Sequence, residues 1–109
     1  MCELIETTQQ FQDLINNNLN TTICIFFYAD WCGFSQKGLP IFDEVADKNK
    51  ETMIFAKVSS YSNFQSKQMT KSMKISGFPT IVMFKNKKYS KFPGYRNGKQ
   101  LQELVNKNK

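Results

Sequence analysis

Apolar positions along this chain switch between a period near two and a period near 3.6, and the switches mark its elements. Glu3 to Glu6 reads as a short first strand. Thr7 and Gln10 have capping-box spacing, and Phe11, Leu14 and Ile15 follow at helical intervals until Asn16-Asn17-Asn18 ends the helix. Thr21 to Tyr28 is an unbroken β-branched and aromatic run, the pattern of a strand buried on both faces. A second helix follows Trp31-Cys32-Gly33, with Phe42, Val45 and Ala46 on its inner side and Pro40 inside it, where it should kink the axis. Met53 to Val58 is another buried strand, and Ser62 with Gln65 marks the start of a short third helix. Thr80 to Phe84 and Tyr89 to Phe92 form two strands joined by Lys85–Lys88 as a hairpin. Asn97 caps a last helix carrying Leu101, Leu104 and Val105. The predicted order β-α-β-α-β-α-β-β-α is an α/β arrangement, a mixed central sheet with helices on both faces.

Length and composition narrow the class. At 109 residues, without repeats or a linker, residues 1–109 are expected to be one domain. The densest apolar run, Ile23 to Ala29, is far too short to span a bilayer, so no membrane partner is expected. The acidic start, Met1-Cys2-Glu3-Leu4-Ile5-Glu6, has neither the basic residues nor the apolar stretch of a signal peptide. An odd, sparse set of cysteines (Cys2, Cys24, Cys32) suits reduced thiols, and the expected setting is cytoplasmic. With no His and no clustered cysteines, neither a metal site nor a cofactor is expected.

Charge is unevenly spread. Residues 1–36 hold no Lys or Arg, and the densest basic run is Lys85, Lys87, Lys88, Lys91, Arg96 and Lys99. No aromatic–basic interleaving accompanies it, so the run reads as a solvated hairpin rather than a nucleic-acid surface.

The chemistry lies where a buried strand passes into a helix, at Ala29-Asp30-Trp31-Cys32-Gly33-Phe34-Ser35. A cysteine at a helix N-terminus has its thiolate stabilised by the dipole and by unpaired N–H groups. Cys32 is therefore the candidate nucleophile, and Gly33 in the turn leaves its sulfur reachable. Cys24, mid-strand between Ile23 and Ile25, reads as a small core residue, and Cys2 as a terminal, oxidisable one.

Trp31-Cys32-Gly33-Phe34-Ser35 resembles the W-C-G-x-C active site of thioredoxins and protein disulfide isomerases. Gly77-Phe78-Pro79-Thr80 resembles that family's cis-proline loop, Pro40 its helix proline, and Pro93-Gly94-Tyr95-Arg96 its glycine segment before the last helix. The matches run in order along essentially the whole chain. The resemblance implies a thioredoxin fold and thiol–disulfide exchange by a monomer. Cys32 and Ser35 would sit at the reacting centre, with Trp31, Gly33, Phe34, Gly77, Phe78 and Pro79 contacting the substrate. Implied partners are protein disulfides or thiols, with glutathione or a thioredoxin reductase beside them.

Two departures alter that picture. Position 35 is Ser, where the dithiol families have the resolving cysteine, so a mixed disulfide would need an outside thiol to leave it. Phe26 replaces a buried carboxylate that the family keeps six residues before the nucleophile, while Lys57, the carboxylate's usual partner, remains. Lys57 then either snorkels to water or biases nearby thiols toward ionisation. Ser35 is compatible with a native monothiol site or with a Cys→Ser change that traps substrates, and Phe26 weighs toward the first. Two other functions stay open. One is a binding module without turnover. The other is a monothiol glutaredoxin-like protein binding glutathione and an iron–sulfur cluster, which Cys-Gly-Phe-Ser also resembles. Trp31 and the Phe-Pro-Thr order of the proline loop count against the latter.

Overall fold

The computed structural model describes residues 3–95 and 97–109, so the readings of Cys2 and Arg96 lie outside the described residues. The elements are β1 (Glu3–Leu4), α1 (Thr8–Asn16), β2 (Ile23–Tyr28), α2 (Gly33–Asn49), β3 (Ile54–Ser59), α3 (Phe64–Ser72), β4 (Thr80–Lys85), β5 (Lys88–Pro93) and α4 (Gly98–Lys107). The sheet order is β1-β3-β2-β4-β5. β1, β3 and β2 run parallel, while β4 is antiparallel to β2 and β5 to β4.

Strand alternation sends successive β2 residues to opposite faces, and both faces are covered. Cys24, Phe26 and Tyr28 face α2 and α4, packing with Phe42, Val45, Ala46, Leu101 and Val105. Ile23, Ile25 and Phe27 face α1 and α3, packing with Met69, Met73, Phe11 and Leu14. A strand between two helical layers has no polar side, which is why Thr21–Tyr28 reads as a continuous apolar run. The thioredoxin fold expected from the sequence is the fold observed.

The differences are local. β1 is shorter than expected, although the Ile5 N–H still donates to Lys57 O at 2.8 Å. α3 is capped by Asn63, whose side chain accepts from the Ser66 N–H, while the Ser62 hydroxyl donates to Ser59 O instead. Two neighbouring polar residues could cap, and the strand-end turn claims the first. The hairpin is tighter than the expected Lys85–Lys88 loop, because Asn86 and Lys87 both take positive φ (53° and 66°), the twist-matched two-residue turn. The basic hairpin is not wholly solvated: Lys91 Nζ donates to Met73 O at 3.3 Å and Lys74 O at 3.1 Å, where α3 ends. Thr7 caps α1 with Gln10 reaching back, and Asn97 caps α4, as the spacing predicts.

Candidate active site

The carboxyl ends of β2 and the parallel β3 leave the sheet at one edge, where crevices form in open α/β sheets. After β2 the chain turns through Asp30 and Trp31 and enters α2. Cys32 is the N-cap of that helix, with extended backbone (φ −91°, ψ 119°) and no side-chain cap bond of its own. Its sulfur is half-buried and donates to Phe78 O at 3.6 Å. The backbone N–H of Ser35 is the largest influence holding the Cys32 thiol below its ordinary value. Desolvation opposes it, and the Ser35 hydroxyl and Phe34 N–H add to the lowering. At the N-cap of α2 the sulfur thus feels the first free N–H groups of the helix, which favour its thiolate.

Ser35 lies under the sulfur, fully buried, and its Oγ accepts the Ala29 N–H at 3.2 Å. One hydroxyl therefore ties the end of the strand to the start of the helix and still has its own proton to offer the sulfur.

Phe78 and Pro79, joined by a cis peptide bond, stand beside Cys32. A cleft of about 510 Å³ opens next to them, lined by Phe34, Gly77, Phe78, Pro79, Gly94 and Tyr95 among others. Gly94 backs the loop closely, since a Cβ there would lie 2.7 Å from Pro79 Cγ. Gly33 is not constrained in this way, as a Cβ there meets nothing within 4 Å. Trp31 and Phe34 are strongly exposed, at 69% and 76%.

One member of the site was not found from sequence. Tyr61, just past β3, completes a ring triangle with Trp31 (5.8 Å) and Phe78 (5.7 Å), and Trp31 meets Phe78 edge-on at 6.2 Å. The parallel pairing of β2 with β3 is the signal that could have found it, because it puts Trp31 and Tyr61 past the same strand ends.

Phe26 and Lys57 stand apart from this group. Phe26 is fully buried and stacks on Phe42 at 4.9 Å, with Tyr28 and Tyr95 within 5.8 Å. An apolar aromatic cluster fills the place where the family keeps its carboxylate. Lys57 neither snorkels freely nor charges the thiol. Its Nζ pairs with Asp43 Oδ1 of α2 at 3.3 Å, and the groups that lower the Cys32 thiol are those of Ser35 and Phe34. Cys24 is buried in the core, as expected.

The thioredoxin family model matches residues 3–107. The chain is 31% identical over 104 residues to protein disulfide-isomerase 1 of Caenorhabditis elegans, covering 95% of this chain and 21% of that protein. It is 31% identical over 110 residues to endoplasmic reticulum resident protein 44 of Homo sapiens, covering 94% of this chain and 26% of that protein. The chain thus spans about a fifth to a quarter of the length of these curated relatives. Among solved structures, Fasciola hepatica thioredoxin matches with a TM-score of 0.86 and 28% identity, over 98% of this chain and 99% of that one. With its sheet order, its cysteine at the start of α2 and a match reaching nearly end to end, this chain belongs to the thioredoxin family.

Proposed function

We propose that this chain is a thiol–disulfide exchange protein that works through the single thiol of Cys32. The observation that carries the reading is the pairing of a half-buried, acidified Cys32 with a buried serine three residues on. The Cys32 thiolate attacks one sulfur of a partner disulfide or glutathione adduct. The partner's S–S bond breaks, its other sulfur leaves as a thiolate with the electron pair, and a Cys32–S bond forms. An extended peptide would lie between Trp31 and the Phe78–Pro79 backbone, where apolar rings and main-chain groups are both available. The helix N–H groups and the Ser35 hydroxyl hold the thiolate before attack and take it back afterwards.

Release is the step that no side chain among the described residues supplies. The Ser35 oxygen is not a nucleophile toward sulfur, and Cys24 is sealed in β2. An external thiolate, such as glutathione, therefore has to attack the mixed disulfide. That favours disulfide reshuffling or deglutathionylation over net dithiol reduction.

Two assays test the proposal. Non-reducing mass analysis with a disulfide substrate should show a one-to-one adduct on Cys32 that glutathione releases. Insulin reduction should be negligible for the chain as it stands and measurable for Ser35→Cys, slowed by the apolar packing at Phe26. Robust reductase turnover by the serine form would sink the monothiol mechanism. Failure to form any adduct would leave a binding module.

A further inference from the structure

The Trp31–Tyr61–Phe78 triangle has a second cleft on its far side. It has a volume of about 290 Å³ and is lined by Ser60, Tyr61, Lys67, Thr70, Lys71 and Ile75. Tyr61 belongs to both, so the cleft begins one aromatic ring from Trp31, the residue before the nucleophile.

Its polar groups point to one ligand chemistry. Lys67 and Lys71 stand four apart on α3, hence on one face of the helix, and both are exposed. Among the described residues, neither has a carboxylate partner. No acid lines the cleft. Asp30, the acid nearest the thiol in sequence, accepts the Ser59 hydroxyl at 3.2 Å instead. Thr70 is occupied, its hydroxyl donating to Ser66 O at 2.9 Å.

Ser60 is different. The residue is only 1% exposed, its N–H donates to Tyr28 O at 2.8 Å, and among the described residues its Oγ has no hydrogen-bond partner. Buried hydroxyls are normally satisfied, so an orphan donor among the residues lining a cleft that also carries Lys67 and Lys71 is a place for an anionic acceptor.

We infer that this cleft holds an acidic side chain of the partner polypeptide, so that Cys32 reacts preferentially with cysteines flanked by Asp or Glu. The inference rests on the proposed exchange at Cys32 and adds its substrate class. The carboxylate takes the Ser60 hydroxyl and the two ammonium groups, while the Ile75 and Tyr61 side chains cover its stem. An extended peptide advances about 3.4 Å per residue, so acidic residues two to four positions from the reacting cysteine sample the neighbourhood of the thiol.

The test uses peptides whose cysteine is activated as a 2-pyridyl disulfide and which carry Glu, Gln or Lys two to four positions away. Cys32 attacks the peptide sulfur, pyridine-2-thione leaves with the electron pair, and its release gives the second-order rate. At low ionic strength the best Glu peptide should react about five- to tenfold faster than its Gln counterpart, with Lys slowest, and salt should erode the preference. Lys67→Gln with Lys71→Gln should bring the Glu/Gln ratio to within about twofold, and Ser60→Ala should roughly halve it. Lys87→Gln with Lys88→Gln removes the same net charge at the distant hairpin and should leave the ratio intact. Equal Glu and Gln rates would overturn the inference. So would a ratio that survives the α3 variant, or one that falls equally in the hairpin variant. Dipyridyl disulfide separates the two levels. If Cys32 fails to react even with that small neutral probe, the proposed exchange falls and this inference with it.

Discussion

Replacing Ser35 with Ala tests stability and chemistry with the loss of a single oxygen atom. That oxygen accepts the Ala29 N–H at 3.2 Å, and both residues are fully buried. Water does not replace the acceptor there, so the variant leaves one buried donor unmade, costing about 1–3 kcal/mol. For a domain of this size each kcal/mol moves the midpoint by roughly 4–8 °C, so melting should fall by about 4–24 °C. The second effect is on the sulfur. The variant keeps the Ser35 and Phe34 N–H groups but loses the hydroxyl, so the Cys32 thiol titrates higher than in the parent while remaining below an ordinary thiol. The sign for stability follows. A thiol whose folded pKa is depressed contributes stability above its unfolded pKa and loses it as pH falls through the folded value. Ser35→Ala raises the lower bound of that window and leaves the upper bound alone. Site-resolved alkylation of Cys32 across pH, with urea melts on the same samples, reads both effects. Below the parent pKa the variant should alkylate more slowly. Above both values the rates should converge, with the variant's more basic thiolate slightly ahead. Superimposable pH profiles would refute the donor role of the Ser35 hydroxyl. A stability loss under about 0.5 kcal/mol would refute its tie to Ala29.

Further expectations concern the surrounding packing. Cys32 should alkylate far faster than Cys24 at neutral pH by mass spectrometry, since Cys24 is sealed in β2. Gly94→Ala puts a methyl 2.7 Å from Pro79 Cγ, a rigid ring. It should lose about 1–3 kcal/mol in urea melts and slow adduct formation at Cys32 as Phe78 O shifts off the sulfur. Gly38→Ala brings a Cβ within 3.1 Å of Phe26 Cζ, and that crowding should outweigh the roughly 1 kcal/mol gained in helix propensity. In a Phe26→Leu background the same change should become stabilising, a reversal that a double-mutant cycle measures. Lys91→Met should cost about 0.5–1 kcal/mol by releasing the Met73 and Lys74 carbonyls at the end of α3, which Lys91→Arg should largely restore.

The fold was legible in the sequence because its signals are local. Burial of β2 on both faces leaves a run without polar interruption, and Thr7 with Gln10 announces a helix start that needs no tertiary help. The reacting thiol was legible for the same reason, since a strand, a turn and a helix adjoin in sequence at Cys32. What escaped was set by contacts distant along the chain. Tyr61 joins Trp31 only because β3 pairs parallel to β2, and Ser62 yields the α3 cap to Asn63 because Ser59 O takes its hydroxyl. Lys57 was expected to find water or a thiol and instead meets Asp43, 14 residues earlier, because α2 returns across β3. Composition alone does not reveal which lysine of the hairpin will reach a helix end.

That hairpin also bears on how the molecule behaves among copies of itself. The sheet has two margins, and among the described residues β1 offers Glu3 and Leu4 at one of them. β5 offers six residues, five of them solvent-exposed, a length sufficient to template a strand from another molecule. A second copy docking there would bring two lysine-bearing edges together, with Lys88 and Lys91 in each strand and Lys85 and Lys87 near each turn. The repulsion acts over about one Debye length, roughly 10 Å at moderate salt and near 3 Å at molar salt. The lysines of this hairpin thus disfavour pairing along the longer margin, and that protection fades as salt concentration rises.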